Sequence, residues 1–284
     1  MLSNFAVVYN QTKKALNFFE SIIVSLQKTA ERPSIYGWFH ILCILLAISL
    51  TVILCIFFRK TSEKKFRIII GICWAVMFIF EIYKQLVFSF DSGSSVWDYQ
   101  WYSFPFQFCS SPLYVLPLVF LLKDSKVRDG IIVFVSTFSF FAGLAVYVYP
   151  GDVFSTDLLG VQIQTMVHHG LQIVLGVYIA VYYREKFCLR KFLYSIMVFL
   201  ALIIVALTLN VVMHNVTDET FNMFFISPYF DCTLPILGNV KDLMPYIAFL
   251  SIYVLGFALC AFLTYLLVKG GIEIIKKISN KSND

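Results

Sequence analysis

Charge is what this sequence has least of. Only 14% of its 284 residues are Asp, Glu, Lys or Arg, whereas 60% are hydrophobic and 18% aromatic. A soluble domain carries roughly a quarter charged residues, and a soluble globule of this size has no means of covering so much apolar surface. A disordered chain, a basic nucleic-acid-binding domain and a secreted disulfide scaffold are excluded on the same ground. Paired cysteines are missing too: the seven Cys contain no C-x-x-C. No internal repeat occurs, and the polar tail ISNKSND is the only low-complexity segment. No signal pattern precedes the first apolar run, the start MLSNFAVVYNQTKK being uncharged until Lys13, so that run is expected to stay in the chain. What remains is an all-α polytopic membrane bundle whose partners are membrane lipids and not nucleic acid. Its oligomeric state is not written in the sequence.

A helix crosses a bilayer with about 20 apolar residues. Seven stretches qualify: 37–58, 66–88, 104–122, 129–149, 162–183, 192–213 and 243–268. They divide the chain into an N-terminal segment (1–36), a seven-helix transmembrane domain (37–268) and a basic tail (269–284). Within the first, residues 15–26 (ALNFFESIIVSL) read as an amphipathic helix lying at the interface. Sixteen Lys and Arg fall on one side of this layout, at 59–67, 123–128, 184–191 and 269–281, against five on the other (Lys13, Lys14, Lys28, Arg32 and Lys241). The positive-inside rule then predicts an external N-terminus and a cytoplasmic C-terminus in the cell membrane.

Polar groups inside spans are costly and mark function, and here they gather near the external ends. The second span carries Glu81, Lys84 and Gln85. The third opens with FPFQFCSSP, holding Gln107, Cys109, Ser110 and Ser111; the fifth opens with VQIQTMVHHGLQ; the sixth closes with Asn210 and His214. At about 100° per residue, Gln164, Thr165, His168, His169 and Gln172 share one stripe. Pro112 has no N–H for the Phe108 carbonyl, so the third helix is expected to open beside Cys109. The pattern predicts a polar pocket facing the external leaflet.

Cys109 and His169 lie at matching depths, roughly 8–11 Å from the span edges at about 1.5 Å per residue. A cysteine and a histidine are the minimal parts of a thiolate nucleophile and its base. Adjacent His168 and His169 point about 100° apart, so one of the two is the principal base. Gln107, Ser110, Ser111 or Asn210 are available as oxyanion donors. Blander readings stand beside this one: Cys109 as packing, the histidines as interhelical hydrogen bonds, Glu81 with Lys84 as an i,i+3 ion pair, or Lys84 reaching a lipid phosphate. Zinc bound by His168, His169, His214 and Glu81 is a further alternative. So are a non-enzymatic small-solute or lipid transporter, and a disulfide between Cys109 and Cys232. No cofactor or metal is required by the principal reading.

The segments FPFQFCSSP, YVYPGDVF, IQTMVHHG, FNMFFISP and LMPYIAFL, in this order, resemble the YwaF-type bacterial integral membrane proteins over about residues 66 to 268. That family opens one helix with P-(L/F)-x-(L/F)-C and a later one with I-Q-x(4–5)-H-G, and carries an N-(Y/M)-M-F-like motif before its final helix. It is distantly similar to the transmembrane protein 164 group, acyltransferases that remodel phospholipids through a Cys and a His. Through that group it resembles the androgen-induced-gene type of seven-helix lipid hydrolases. The resemblance implies Cys109 as nucleophile, His169 as its histidine with His168 an extra, and Asn222 as an external lid or pocket residue.

Overall fold

The polar stripe lies on α7 (Leu159–Tyr182), and α7 is the innermost helix, with 78% of its most apolar stretch buried. Enclosure is what makes Gln164, His168, His169 and Gln172 tolerable at that depth. The computed structural model describes residues 16–151, 153–217 and 220–281. Packed against α7 is a second enclosed helix of two parts, α5 (Lys126–Phe134) and α6 (Phe140–Val148), joined by a π-helical turn at Val135–Ser139. The rim consists of α2 (Trp38–Phe57), α3 (Glu63–Ser89), α8 (Leu189–His214) and α10 (Tyr246–Lys281). Ile56, Ile79, Ile204 and Leu255 on those helices are each more than 60% exposed. Apolar side chains facing outward around an enclosed polar stripe suit lipid as the surrounding solvent.

Two glycines set how closely the inner helices approach. A Cβ on Gly143 would stand 2.6 Å from the carbonyl oxygen of His169, and one on Gly170 would stand 2.3 Å from the Tyr147 hydroxyl. That hydroxyl donates to the Met166 carbonyl at 2.8 Å. Small residues at both sites bring α6 against the turn that carries the histidines.

Among the described residues six helices are long and apolar enough to cross a membrane, where seven were expected. The difference is the third span. Residues 104–122 form a 3-10 turn at Phe108–Ser110 and a ten-residue helix α4 (Pro112–Leu121), about 15 Å long, half the thickness of a hydrocarbon core. Pro112 does not kink this helix; it begins it, at N1, where its missing N–H costs nothing. The segment nonetheless runs beside α3 over most of that helix. Gln85 donates to the Ser103 carbonyl at 2.8 Å and Arg67 to the Leu122 carbonyl at 3.1 Å. These partners lie eighteen residues apart on α3, about 27 Å along its axis.

Backbone outside a regular helix is tolerated at membrane depth only where protein satisfies it, and here side chains do so. Pro117 leaves the Leu113 carbonyl without its helical donor, and the Trp74 indole N–H takes that place at 2.9 Å. Arg67 also donates to Phe120 O at 2.7 Å, and Arg128 to Val119 O at 2.9 Å. Arg128 is 1% exposed and bonds Glu63, Asp124 (2.7 Å) and the Tyr183 hydroxyl (2.7 Å). One buried guanidinium thus ties α5, α3 and the end of α4 together.

The N-terminal amphipathic helix is α1 (Phe18–Leu26), started by a reciprocal capping box between Asn17 and Glu20. Its Ile23 packs with Val87, Phe90 and Val161, whereas Phe18 and Phe19 face outward. A two-residue hairpin of β1 (Phe90–Asp91) and β2 (Val96–Trp97) follows α3, and a short α9 (Leu237–Leu243) precedes α10. The last helix, α10, runs on through residue 269 to Lys281. Residues 1–15 of the N-terminal segment, and Asp152 of the PGDVF turn, lie outside the described residues.

Candidate functional site

Cys109 sits in the 3-10 turn just before Pro112. The Phe108 carbonyl, expected to be left free by Pro112, accepts from the Ser111 N–H at 3.2 Å. The acceptor opened to side chains is that of Cys109 itself. His168 Nε2 lies 3.0 Å from the Cys109 carbonyl oxygen, and Gln172 Nε2 donates to the same oxygen at 2.7 Å. A carbonyl oxygen only accepts, so His168 carries its proton on Nε2 and leaves Nδ1 as a bare lone pair. His169 places Nδ1 2.8 Å from the Thr165 carbonyl one turn earlier, so its proton is on Nδ1 and its lone pair on Nε2. Both lone pairs are buried and, among the described residues, without a hydrogen-bond partner.

Cys109, His168 and His169 line one cavity of about 560 Å³, together with Glu81, Lys84, Gln107, Ser110, Gln164, Thr165 and Asn222. Ten of the sequence-predicted site residues therefore come together. In its floor, Lys84 Nζ pairs with Glu81 Oε1 at 2.8 Å, which Gln85 also approaches at 2.7 Å, while Gln164 reaches Glu81 Oε2 at 3.2 Å. The i,i+3 ion pair thus forms as its spacing predicts, and it neutralises two charges that would be prohibitive singly.

Of the oxyanion and ligand candidates, Ser111, Asn210 and His214 are not among the residues that line the cavity. Asn210 is fully buried, and its amide is spent on Met223, accepting from the backbone N–H at 2.7 Å and donating to the carbonyl at 3.0 Å. His214 stacks on Tyr229, ring centroids 3.7 Å apart and 9° from parallel. The set His168, His169, His214 and Glu81 is accordingly not gathered as a zinc centre, and among the described residues no three metal-ligating side chains converge. Cys109 and Cys232 are free thiols and not a disulfide.

Gln107 lines the cavity, but its amide is an anchor and not an idle oxyanion donor. It donates to the Asn222 carbonyl at 2.9 Å and accepts from the Phe224 N–H at 2.8 Å. Asn222 in turn donates to Asp231 O and accepts from the Ser227 N–H, both at 2.9 Å. The three amides Gln107, Asn210 and Asn222 hold the segment 222–227, in which Phe224 and Phe225 both adopt left-handed backbone (φ 59° and 56°). Non-glycine residues there cost of order 1–3 kcal/mol each and persist only where surroundings impose them. Phe225, Phe230 and Asp231 from this region close the cavity opposite the histidines. Sequence reasoning missed these three, since irregular loops carry no periodic signal. It also gave Gln172 no role, although Gln172 stands four residues after His168 on the same stripe.

The apolar exterior, the enclosed polar stripe and, among the described residues, six helices of membrane-spanning length define a multi-pass membrane protein. The chain belongs to the TMEM164 family, whose model matches residues 35–269. No curated protein and no solved structure gives a significant match to it.

Proposed function

We propose that this protein transfers acyl groups from membrane glycerolipids to a lipid hydroxyl or to water, through a covalent intermediate on Cys109. The observation that carries the reading is the shared cavity, lined by Cys109 and by two histidines that each leave one nitrogen without a hydrogen-bond partner. His169 Nε2 takes the proton from the Cys109 thiol, and the thiolate attacks the ester carbonyl carbon. The ester C–O bond breaks, the departing alkoxide takes the proton back from His169, and the acyl group is left as a thioester. The acceptor then releases it. The bilayer delivers the substrate laterally, so no soluble binding domain is needed. The likeness of the P-x-x-x-C and H-G segments to YwaF-type proteins, and more remotely to androgen-induced-gene-type hydrolases, supports the same assignment of Cys109 and His169. The distribution of basic residues supports a chamber on the external side of the cell membrane.

The test is acylation of the purified protein in vesicles of mixed phospholipids with radiolabelled acyl chains. A hydroxylamine-labile label is expected on the native chain and on no Cys109→Ala chain. Equal labelling of both removes Cys109 as the nucleophile.

A further inference from the structure

The chain contains a histidine that shows what a purely structural imidazole looks like here. His40 is fully buried, accepts from the Tyr36 N–H through Nδ1 at 3.0 Å, and donates from Nε2 to the Tyr147 carbonyl at 3.0 Å. Both of its nitrogens are used. His168 and His169 are 3% and 5% exposed, yet each uses only one nitrogen, and each leaves free the one that accepts protons. An unpaired buried acceptor is costly; among the described residues the amide oxygens of Gln27, Gln85 and Gln172 are also left unpaired, but only here are two basic nitrogens left so, on adjacent residues of one cavity.

The two rings are not interchangeable. Their planes are 72° apart with centroids separated by 5.4 Å, so one ring does not stand in for the other at a single proton. They are also anchored to different bodies. His169 is fixed within α7, on Thr165, whereas His168 is fixed on the peptide of Cys109 itself. As a clip for that peptide His168 is redundant, because Gln172 donates to the same oxygen at the shorter distance of 2.7 Å. A clip alone does not account for an imidazole with a bare Nδ1.

We infer that His168 is a second general base, dedicated to the acyl acceptor, so that the site divides its two half-reactions between two histidines. This rests on the thioester reading above. In the second half-reaction the acceptor hydroxyl gives its proton to His168 Nδ1 and its oxygen bonds to the thioester carbonyl carbon. The C–S bond breaks, the electron pair returns to sulfur, and the thiolate recovers the proton from His168. What the base requires is an acceptor that carries a hydroxyl and occupies the cavity after the first product has left.

The experiment separates the half-reactions in reconstituted full-length protein. Acylation is followed by rapid quench in vesicles of mixed radiolabelled phosphatidylglycerol, phosphatidylethanolamine and phosphatidylcholine, then discharge on adding the matching lysolipids. His168→Gln keeps an N–H donor for the Cys109 carbonyl but has no base. It is expected to discharge about 10²–10⁴-fold more slowly, the usual worth of a general base, a loss much larger than any in its acylation, so that thioester accumulates. His169→Gln is expected not to acylate. Native discharge by His168→Gln overturns the inference and leaves His168 a positioning residue. Parallel loss of acylation in both variants overturns it as well. A second measurement uses the native chain alone: single-turnover acylation and discharge are expected to follow different pH profiles, and coincident profiles count against two bases. Absence of any thioester on the native chain removes the underlying reading, an outcome distinct from all of these.

Discussion

The indole N–H of Trp74 donates to the carbonyl of Leu113 at 2.9 Å, occupying the position that the absent N–H of Pro117 would have filled. Two helices are joined by a bond that the sequence of either alone does not announce. Trp74→Phe keeps an aromatic ring beside Phe78 but strands the carbonyl, which is expected to cost about 1–3 kcal/mol. Adding Pro117→Ala to that variant restores a helical donor and is expected to recover most of the loss. Thermal unfolding in detergent reads both, and a double variant no more stable than Trp74→Phe contradicts the pairing.

Gly143 and Gly170 make contacts of different kinds, and their alanine variants are expected to differ. At Gly170 the obstacle is the tip of the Tyr147 side chain, which Tyr147→Phe removes, so the double variant should regain stability. At Gly143 the obstacle is the His169 backbone, which no single side-chain change relieves. Gly143→Ala is therefore expected to lose about 1–3 kcal/mol and to displace His169, lowering acylation along with the unfolding temperature. Equal behaviour of the two glycines argues against this account.

Arg128 is expected to be the most sensitive charged position outside the cavity. Arg128→Met leaves the Val119 carbonyl without its donor, at a cost of about 1–3 kcal/mol, and takes one partner from Glu63, which is 43% exposed and keeps Arg67. Arg128→Lys is expected to rescue little, because one ammonium does not reproduce a fork that reaches Val119, Asp124 and Tyr183 at once. Comparing folded yields and unfolding temperatures of the two variants decides this.

Orientation is open to chemical labelling. Cys188 is exposed and lies beside the basic connection after α7. With an external N-terminus, a membrane-impermeant maleimide is expected to reach Cys188 only after permeabilisation, with Cys188→Ser as control. A cysteine placed by Lys28→Cys should label in intact cells. Reversed accessibility overturns the orientation drawn from the basic residues.

The sequence made some of this legible and concealed the rest for physical reasons. Six spans and the α7 stripe could be read because a polar residue in an apolar run is conspicuous and a helix repeats on a fixed angle. The partners of amides could not be read. Gln107 and Asn210 look like pocket donors in sequence, but an amide is equally suited to backbone, and both hold the irregular path of 222–224. Pro112 marked a break beside Cys109, but its residue type does not say on which side of the break the helix lies. Arg128 counted as one more basic residue, although its burial depends on carbonyls brought to it by α4.

Hanging the Cys109 carbonyl from two donors one turn apart makes the proposed nucleophile a passenger of the central rod. A slide or tilt of that rod carries sulfur and both rings together, leaving their mutual spacing intact. Warming that slackens the outer staves would then alter how a fatty chain enters long before it disturbs the reacting groups. Turnover should accordingly grow choosier or laxer about chain shape with temperature while the first chemical step persists until the whole assembly melts.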